Sequence, residues 1–212
     1  MTTYQEHLAS LQEIRSLMQR SSRFTALSGL SGIVVGLLAL VGVRLIQWFL
    51  NQRHTSYQDI YQKPLTQETG TFLATVILAV LVLALSSVLV LTWLKAQKAR
   101  QSIWHHQGQR WFTTLCLPLA VGGVFCLVLL YHHLLFLLAP SMLIFYGLAL
   151  IHSSKYTFSD IRYLGLGEIA LGLLACFQIE YGLLAWAAGF GGLNILYGIL
   201  LHYKYERNTS SL

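Results

Sequence analysis

Glu168 is the residue whose type and position could do chemistry. It lies six residues past Arg162, about 9 Å deeper along a helix, within an apolar stretch that runs from Arg162 to Tyr203. An ionised carboxylate is costly in such surroundings, so an acid there is a candidate for exchanging a proton or holding a cation or small substrate. Folding the stretch back at Gln178-Ile179-Glu180 brings Glu168 opposite Gly191-Gly192, with Asn194 within a turn of that level. Asn194 is therefore the expected hydrogen-bond partner, and Tyr197 the second. The alternative is that a protonated Glu168 donates to Asn194 or to a carbonyl and only locks helices together. Transport sites gather several polar groups, and here only Glu168 and Asn194 stand out.

The other reactive side chains suggest less. Eight histidines occur, but without an HxxxH or HExxH spacing or an acid at ligand distance, so no metal or cofactor is implied. His152 and His202 are weaker candidates, because each follows a Tyr-Gly pair (Tyr146-Gly147, Tyr197-Gly198) by a few residues and would sit at the same depth near one membrane surface. Arg44, far along the first apolar run, is expected to snorkel to headgroups rather than reach Glu168. Cys116, Cys126 and Cys176 are odd in number, have no CxxC spacing, and read as small packing residues. Nucleophile elbows, phosphate loops and dinucleotide glycine patterns are missing, which disfavours an enzyme.

The elements that must position Glu168 follow from composition. Of 212 residues, 55% are hydrophobic and 10% charged, with a mean hydropathy of +0.59. A soluble domain carries roughly 25% charged residues, so lipid is the expected solvent. A bilayer core needs about 20 apolar residues per helix. The runs give an all-α membrane protein with six spans near 25–50, 71–94, 111–131, 134–152, 160–178 and 182–203. A short amphipathic helix within 1–23 precedes them and a tail, 205–212, follows. Thr157 with Asp160 three residues on reads as a capping box that starts the fifth helix. Pro118 and Pro140 are possible kinks.

Placing the N-terminus inside puts eleven Lys and Arg residues on the cytoplasmic side, with Arg53 and Lys63 outside and Arg44 near the outer surface. That bias follows the positive-inside rule, leaves both termini cytoplasmic, and assigns the net charge of +6 to anionic lipid rather than nucleic acid. The first run is too long for a signal peptide's apolar core and is expected to be an anchor. In residues 4–20, Leu8, Leu11, Ile14, Leu17 and Met18 share one face. This segment would lie on the membrane surface or dock a cytoplasmic protein.

Tight outer turns at His132-His133 and Gln178-Glu180 suggest three tandem hairpins. Internal similarity supports a repeat. Gly29-Leu-Ser-Gly-Ile-Val-Val-Gly-Leu-Leu-Ala39 matches Gly165-Leu-Gly-Glu-Ile-Ala-Leu-Gly-Leu-Leu-Ala175 at seven of eleven positions, with Glu168 in the place of Gly32. Gly29, Gly32, Gly36 and Ala39 fall on one stripe, which lets helix backbones approach closely in lipid.

The segments Glu13-Ile-Arg-Ser-Leu-Met, Ser21-Ser-Arg-Phe, Leu27-Ser-Gly-Leu-Ser-Gly and Ser154-Lys-Tyr-Thr-Phe-Ser-Asp-Ile-Arg-Tyr-Leu-Gly resemble an uncharacterised family of small six-span bacterial inner-membrane proteins of Bacteroidetes type. The resemblance implies a location in the bacterial inner membrane and carries over no catalytic residue. More loosely, Gly165 to Tyr203 is similar to hairpins of six-span acid-resistance membrane proteins. The expected function is a non-enzymatic sensory, stress or accessory protein acting through a partner. The alternative is a small-solute or proton-coupled carrier or channel using Glu168.

Overall fold

The computed structural model describes residues 29–54, 67–98, 106–132 and 134–206. The amphipathic segment 4–20, the partner role assigned to it and most of the C-terminal tail lie outside these residues. The described chain is helical throughout, with no strand. Its elements are α1 (Gly29–Gln52), α2 (Gln67–Lys98), α3 (His106–Tyr131), α4 (Leu138–Ser153), α5 (Ile161–Phe177), α6 (Gly182–Trp186) and α7 (Asn194–Leu201). A 3-10 turn, Leu135–Leu137, leads into α4, and another, Ile179–Tyr181, leads into α6. A π-helical stretch, Ala187–Leu193, joins α6 to α7. These last elements run on as one sixth helix.

Five helices are long and apolar enough to cross a membrane: Gly29–Gln52, Gln67–Lys95, Gln109–Tyr131, Leu135–Ser153 and Ile179–Lys204. They match five of the expected spans to within a few residues. The remaining one, α5, has 17 residues and is about 25 Å long, a little short of the roughly 30 Å of a hydrocarbon core. It is the helix that carries Glu168.

Helix α5 begins three residues later than the capping-box reading puts it. The N-cap of α5 is Asp160 in helical conformation, without a side-chain cap bond. The chain enters through 3-10 bonds from the Ile161, Arg162 and Tyr163 amides to the Phe158, Ser159 and Asp160 carbonyls, and the Asp160 carboxylate accepts a hydrogen bond from Lys204. Thr157 is buried. Of the two prolines expected to kink helices, Pro118 lies inside a continuous α3. Pro140 stands in the first turn of α4, where its missing N–H has no intrahelical partner to lose.

Glycines set the packing, and they do so twice. A Cβ on Gly29 would stand 2.6 Å from the Gly198 carbonyl oxygen and 2.7 Å from the His202 amide. On Gly165 it would stand 2.6 Å from the Gly147 carbonyl oxygen and 3.1 Å from the Ile151 amide. Further along, Gly36 meets the Gly191 carbonyl oxygen (2.7 Å) and Ile195, while Gly172 meets the Pro140 carbonyl oxygen (2.9 Å) and Ile144. The repeat seen in the sequence is thus a repeat of contacts. Helix α1 against the sixth helix reproduces α5 against α4, with Gly198 in the place of Gly147 and Ile195 in that of Ile144. These closest approaches run between the expected hairpins rather than within them. Helix α3 flanks α4, with Gly122 against Phe145, and α2 flanks α1.

The α1–α2 turn end is tied by Arg53 to Glu68 (2.8 Å) and by stacked Phe49 and Phe72 rings, 3.8 Å apart. Between the two glycine-packed pairs lies a core of Val43, Leu143, Ala175, Ala185 and Trp186.

Candidate functional site

Glu168 is the eighth residue of α5, midway along it, and is 0% exposed. It stands on the stripe of Gly165, Gly172 and Ala175, all buried. One oxygen, Oε1, accepts a hydrogen bond from Asn194 Nδ2 at 3.2 Å. The same amide nitrogen lies 3.4 Å from the Gly189 carbonyl oxygen. Asn194 Oδ1 in turn accepts a hydrogen bond from the Tyr146 hydroxyl at 2.8 Å. The chain is phenol to amide to carboxyl, across α4, the sixth helix and α5. Glu168 Oε2 has no hydrogen-bond partner among the described residues. It points at Gly189, where a side chain would collide with it and with Leu143.

The local sequence explains this arrangement. Ala187-Ala-Gly-Phe-Gly-Gly-Leu193 is rich in glycine and forms the π-helical stretch. Wider turns of this type occur often at functional sites. Gly189 leaves room for the acid, and the carbonyl of the same residue is within reach of Asn194. Phe190 packs its ring 5.0 Å from Tyr146 and 5.4 Å from Trp186, so aromatic side chains cover the polar groups. Leu143, fully buried, closes the remaining side.

The expected pair of Glu168 and Asn194 is therefore brought together. Glu168 faces Gly189 rather than Gly191-Gly192: Gly191 packs on Leu40 of α1 instead. Tyr197 is not part of the site. It lines a cleft at the end of the bundle with Asp160, Tyr163 and Lys204. The tyrosine that reaches Asn194 is Tyr146, its counterpart in the repeat. Tyr146-Gly147 and Tyr197-Gly198 occupy equivalent places in the repeat, but nothing in the sequence says which tyrosine faces the acid.

The contact repeat also places Leu143 where Asn194 stands, and Gly32 where Glu168 stands. Gly32 lies against the Asn194 backbone, 3.1 Å from its carbonyl oxygen to an added Cβ. The α4–α5 pair thus supplies Glu168 and Tyr146, the other pair supplies Asn194, and both hydrogen bonds cross between the pairs. The amide donates and the carboxyl Oε1 accepts, the reverse of the expected donation from Glu168, and the unpartnered Oε2 gives the acid capacity for one further contact.

The weaker candidates lie elsewhere. Arg44 is on the exposed side of α1, in a groove with Leu37, Val41, Leu45 and Trp48. His152 is exposed at the end of α4, whereas His202 contacts α1 near Gly29, and the contact repeat pairs His202 with Ile151. Among the described residues no group of three or more His, Cys, Asp or Glu could hold a metal ion. The three cysteines are free and partly buried. No protein family, curated protein or solved structure matches the chain.

Proposed function

We propose that this is a non-enzymatic multi-pass membrane protein of the bacterial inner membrane, with six spans in three tandem hairpins and both termini cytoplasmic. In this reading it belongs with the small six-span proteins it resembles and acts as a sensory, stress or accessory component through a partner. Its mid-membrane acid serves as a lock. The observation that carries this is the complete burial of Glu168 in a hydrogen-bonded chain joining three helices. Interhelical hydrogen bonds of this type in lipid contribute about 0.6 to 2 kcal/mol each, enough to hold two helix pairs in one register.

A carrier is the second reading. What favours it is the unpartnered Glu168 Oε2 beside a glycine-rich π-helical stretch, at the boundary between repeat-related pairs, where transporters place their ion and substrate sites.

One substitution separates the two. Glu168→Gln keeps an oxygen for the Asn194 donor and removes the exchangeable acid. If the acid is a lock, the purified variant melts close to the wild type, and proteoliposomes of the two show the same background proton uptake under an imposed pH gradient. Proton uptake present in the wild type and lost in Glu168→Gln would establish the carrier and overturn the lock.

A further inference from the structure

Helix α1 turns one face away from the bundle near the α1–α2 turn. Arg44, Gln47, Trp48 and Asn51 follow one another at helical spacings of three and four, so they share one stripe. All four are exposed. Among the described residues their side chains make no hydrogen bond, ion pair or ring contact. Glu68, an acid at the same end, is held by Arg53. The stripe continues towards mid-membrane through Val41 and Leu37, 56% and 53% exposed. These residues line one groove of about 620 Å³, and no acid stands among its described lining. Arg44 lies eight residues before Gln52, the last residue of α1, or about 12 Å along the helix. A lone arginine at that depth snorkels to whichever headgroups pass. Here two carboxamides and an indole stand over it, and an apolar track runs beneath it.

We infer that this face of α1 binds an anionic phospholipid, of phosphatidylglycerol type, with its phosphodiester on Arg44 and an acyl chain along Val41 and Leu37. The groove is polar towards the membrane surface and apolar towards the middle, the same sense as a lipid. A guanidinium donates two parallel bonds to one phosphate. The Gln47 and Asn51 amides and the Trp48 indole N–H add donors on the headgroup side. Binding a phosphate also relieves the cost of an unpaired guanidinium at the edge of the hydrocarbon. An ethanolamine headgroup would bring its ammonium beside Arg44 with no acid in the groove to receive it, so the charge balance selects against zwitterionic lipid. A second copy docking in parallel through this face would set Arg44 against Arg44 and leave both charges unpaired, which makes lipid the better occupant. The site shares no residue with the Tyr146–Asn194–Glu168 chain and stands or falls separately from the lock.

The test uses the full-length protein, purified and delipidated, then mixed with equal amounts of phosphatidylglycerol and phosphatidylethanolamine. Native mass spectrometry reads both lipid retention and oligomeric state. The wild type should retain phosphatidylglycerol about tenfold in preference, the size of one charge-assisted contact. Arg44→Leu, a change that suits a lipid-facing position and spares the fold, should bring the preference close to unity. Arg44→Lys, which keeps the charge and loses the paired donors, should fall between the two. Gln47→Leu with Asn51→Leu should weaken phosphatidylglycerol several-fold while Arg44 remains. Lys155→Gln, which removes an exposed cation at the other end of the bundle, should leave the preference unchanged. Water-soluble glycerophosphoglycerol at the same concentration should not displace the lipid. Equal retention of the two lipids by the wild type would overturn the inference. So would equal losses in Lys155→Gln and Arg44→Leu, which would trace the preference to net charge, or displacement by the soluble headgroup. A lipid-free dimer that disappears in Arg44→Leu would give the face to a second copy and overturn it as well.

Discussion

Asn194 is the residue on which the buried chain turns, because its amide both donates to Glu168 and accepts from Tyr146. Asn194→Leu installs the residue found at the equivalent place, Leu143, and leaves a buried carboxyl without its donor. The cost should be about 1–3 kcal/mol of stability, measured as a lower melting temperature in detergent. Replacing both partners, as Glu168→Leu with Asn194→Leu, should cost less than the sum of the two single changes, since removing a whole polar pair leaves nothing unsatisfied. Strict additivity in that cycle would show that the two side chains are not coupled. Glu168 and Asn194 were legible in the sequence because each interrupts a run that is otherwise apolar or small. Tyr146 was not singled out, since a tyrosine in an apolar helix gives no sign of where its hydroxyl goes. Gly189 was hidden for a related reason: four glycines lie within Gly182–Gly192, and only the π-helical register selects which one meets the acid.

Among elements, the glycine-packed pairs carry most of the architecture, and they make a contrast that can be measured. A methyl group on Gly147 would stand 2.5 Å from the Gly165 carbonyl oxygen, so Gly147→Ala must force α4 and α5 apart. The melting temperature should fall, by an amount equivalent to the 1–3 kcal/mol typical of overpacking. Gly123, in α3, has nothing within 4 Å of an added Cβ, and Gly123→Ala should be neutral or stabilising by up to about 1 kcal/mol. Equal destabilisation by the two changes would show that close backbone approach is not what holds the pairs. The spans and the stripe were readable from hydropathy and spacing, but the partner of each stripe was not. Periodicity fixes which face of a helix packs; it does not say on which neighbour. Hence the hairpins drew attention to α5 with the sixth helix, whereas the tightest contacts of α5 are with α4. The start of α5 shows another limit of local sequence. Asp160 also meets Lys204, 44 residues away on the sixth helix, a contact that no local pattern around Thr157 and Asp160 could announce.

Across the molecule, charge decides which end faces which side. The Arg53–Glu68 pair ties α1 to α2 at one end of the bundle, while Gly29, Asp160 and Lys204 mark the other. Lys and Arg are concentrated towards that second end, and moving such charges across a bilayer during insertion is unfavourable, so it should remain cytoplasmic. The orientation can be read with single cysteines in a background where Cys116, Cys126 and Cys176 are replaced by alanine. In intact cells, Arg53→Cys should react with a membrane-impermeant maleimide, and Lys155→Cys should react only after permeabilisation. Labelling of both from outside, or the reverse pattern, would reject the orientation. The same experiment tests the span count. With five spans, Arg53→Cys and a cysteine at exposed Tyr203 could not keep the sidedness that six spans require, because six spans need α5 as the crossing that returns the chain to the outer face before the sixth helix. Tyr203→Cys should therefore share the protection of Lys155→Cys. Its labelling from outside would mean that the short helix bearing Glu168 does not cross, and that the acid lies in a re-entrant segment rather than in a span.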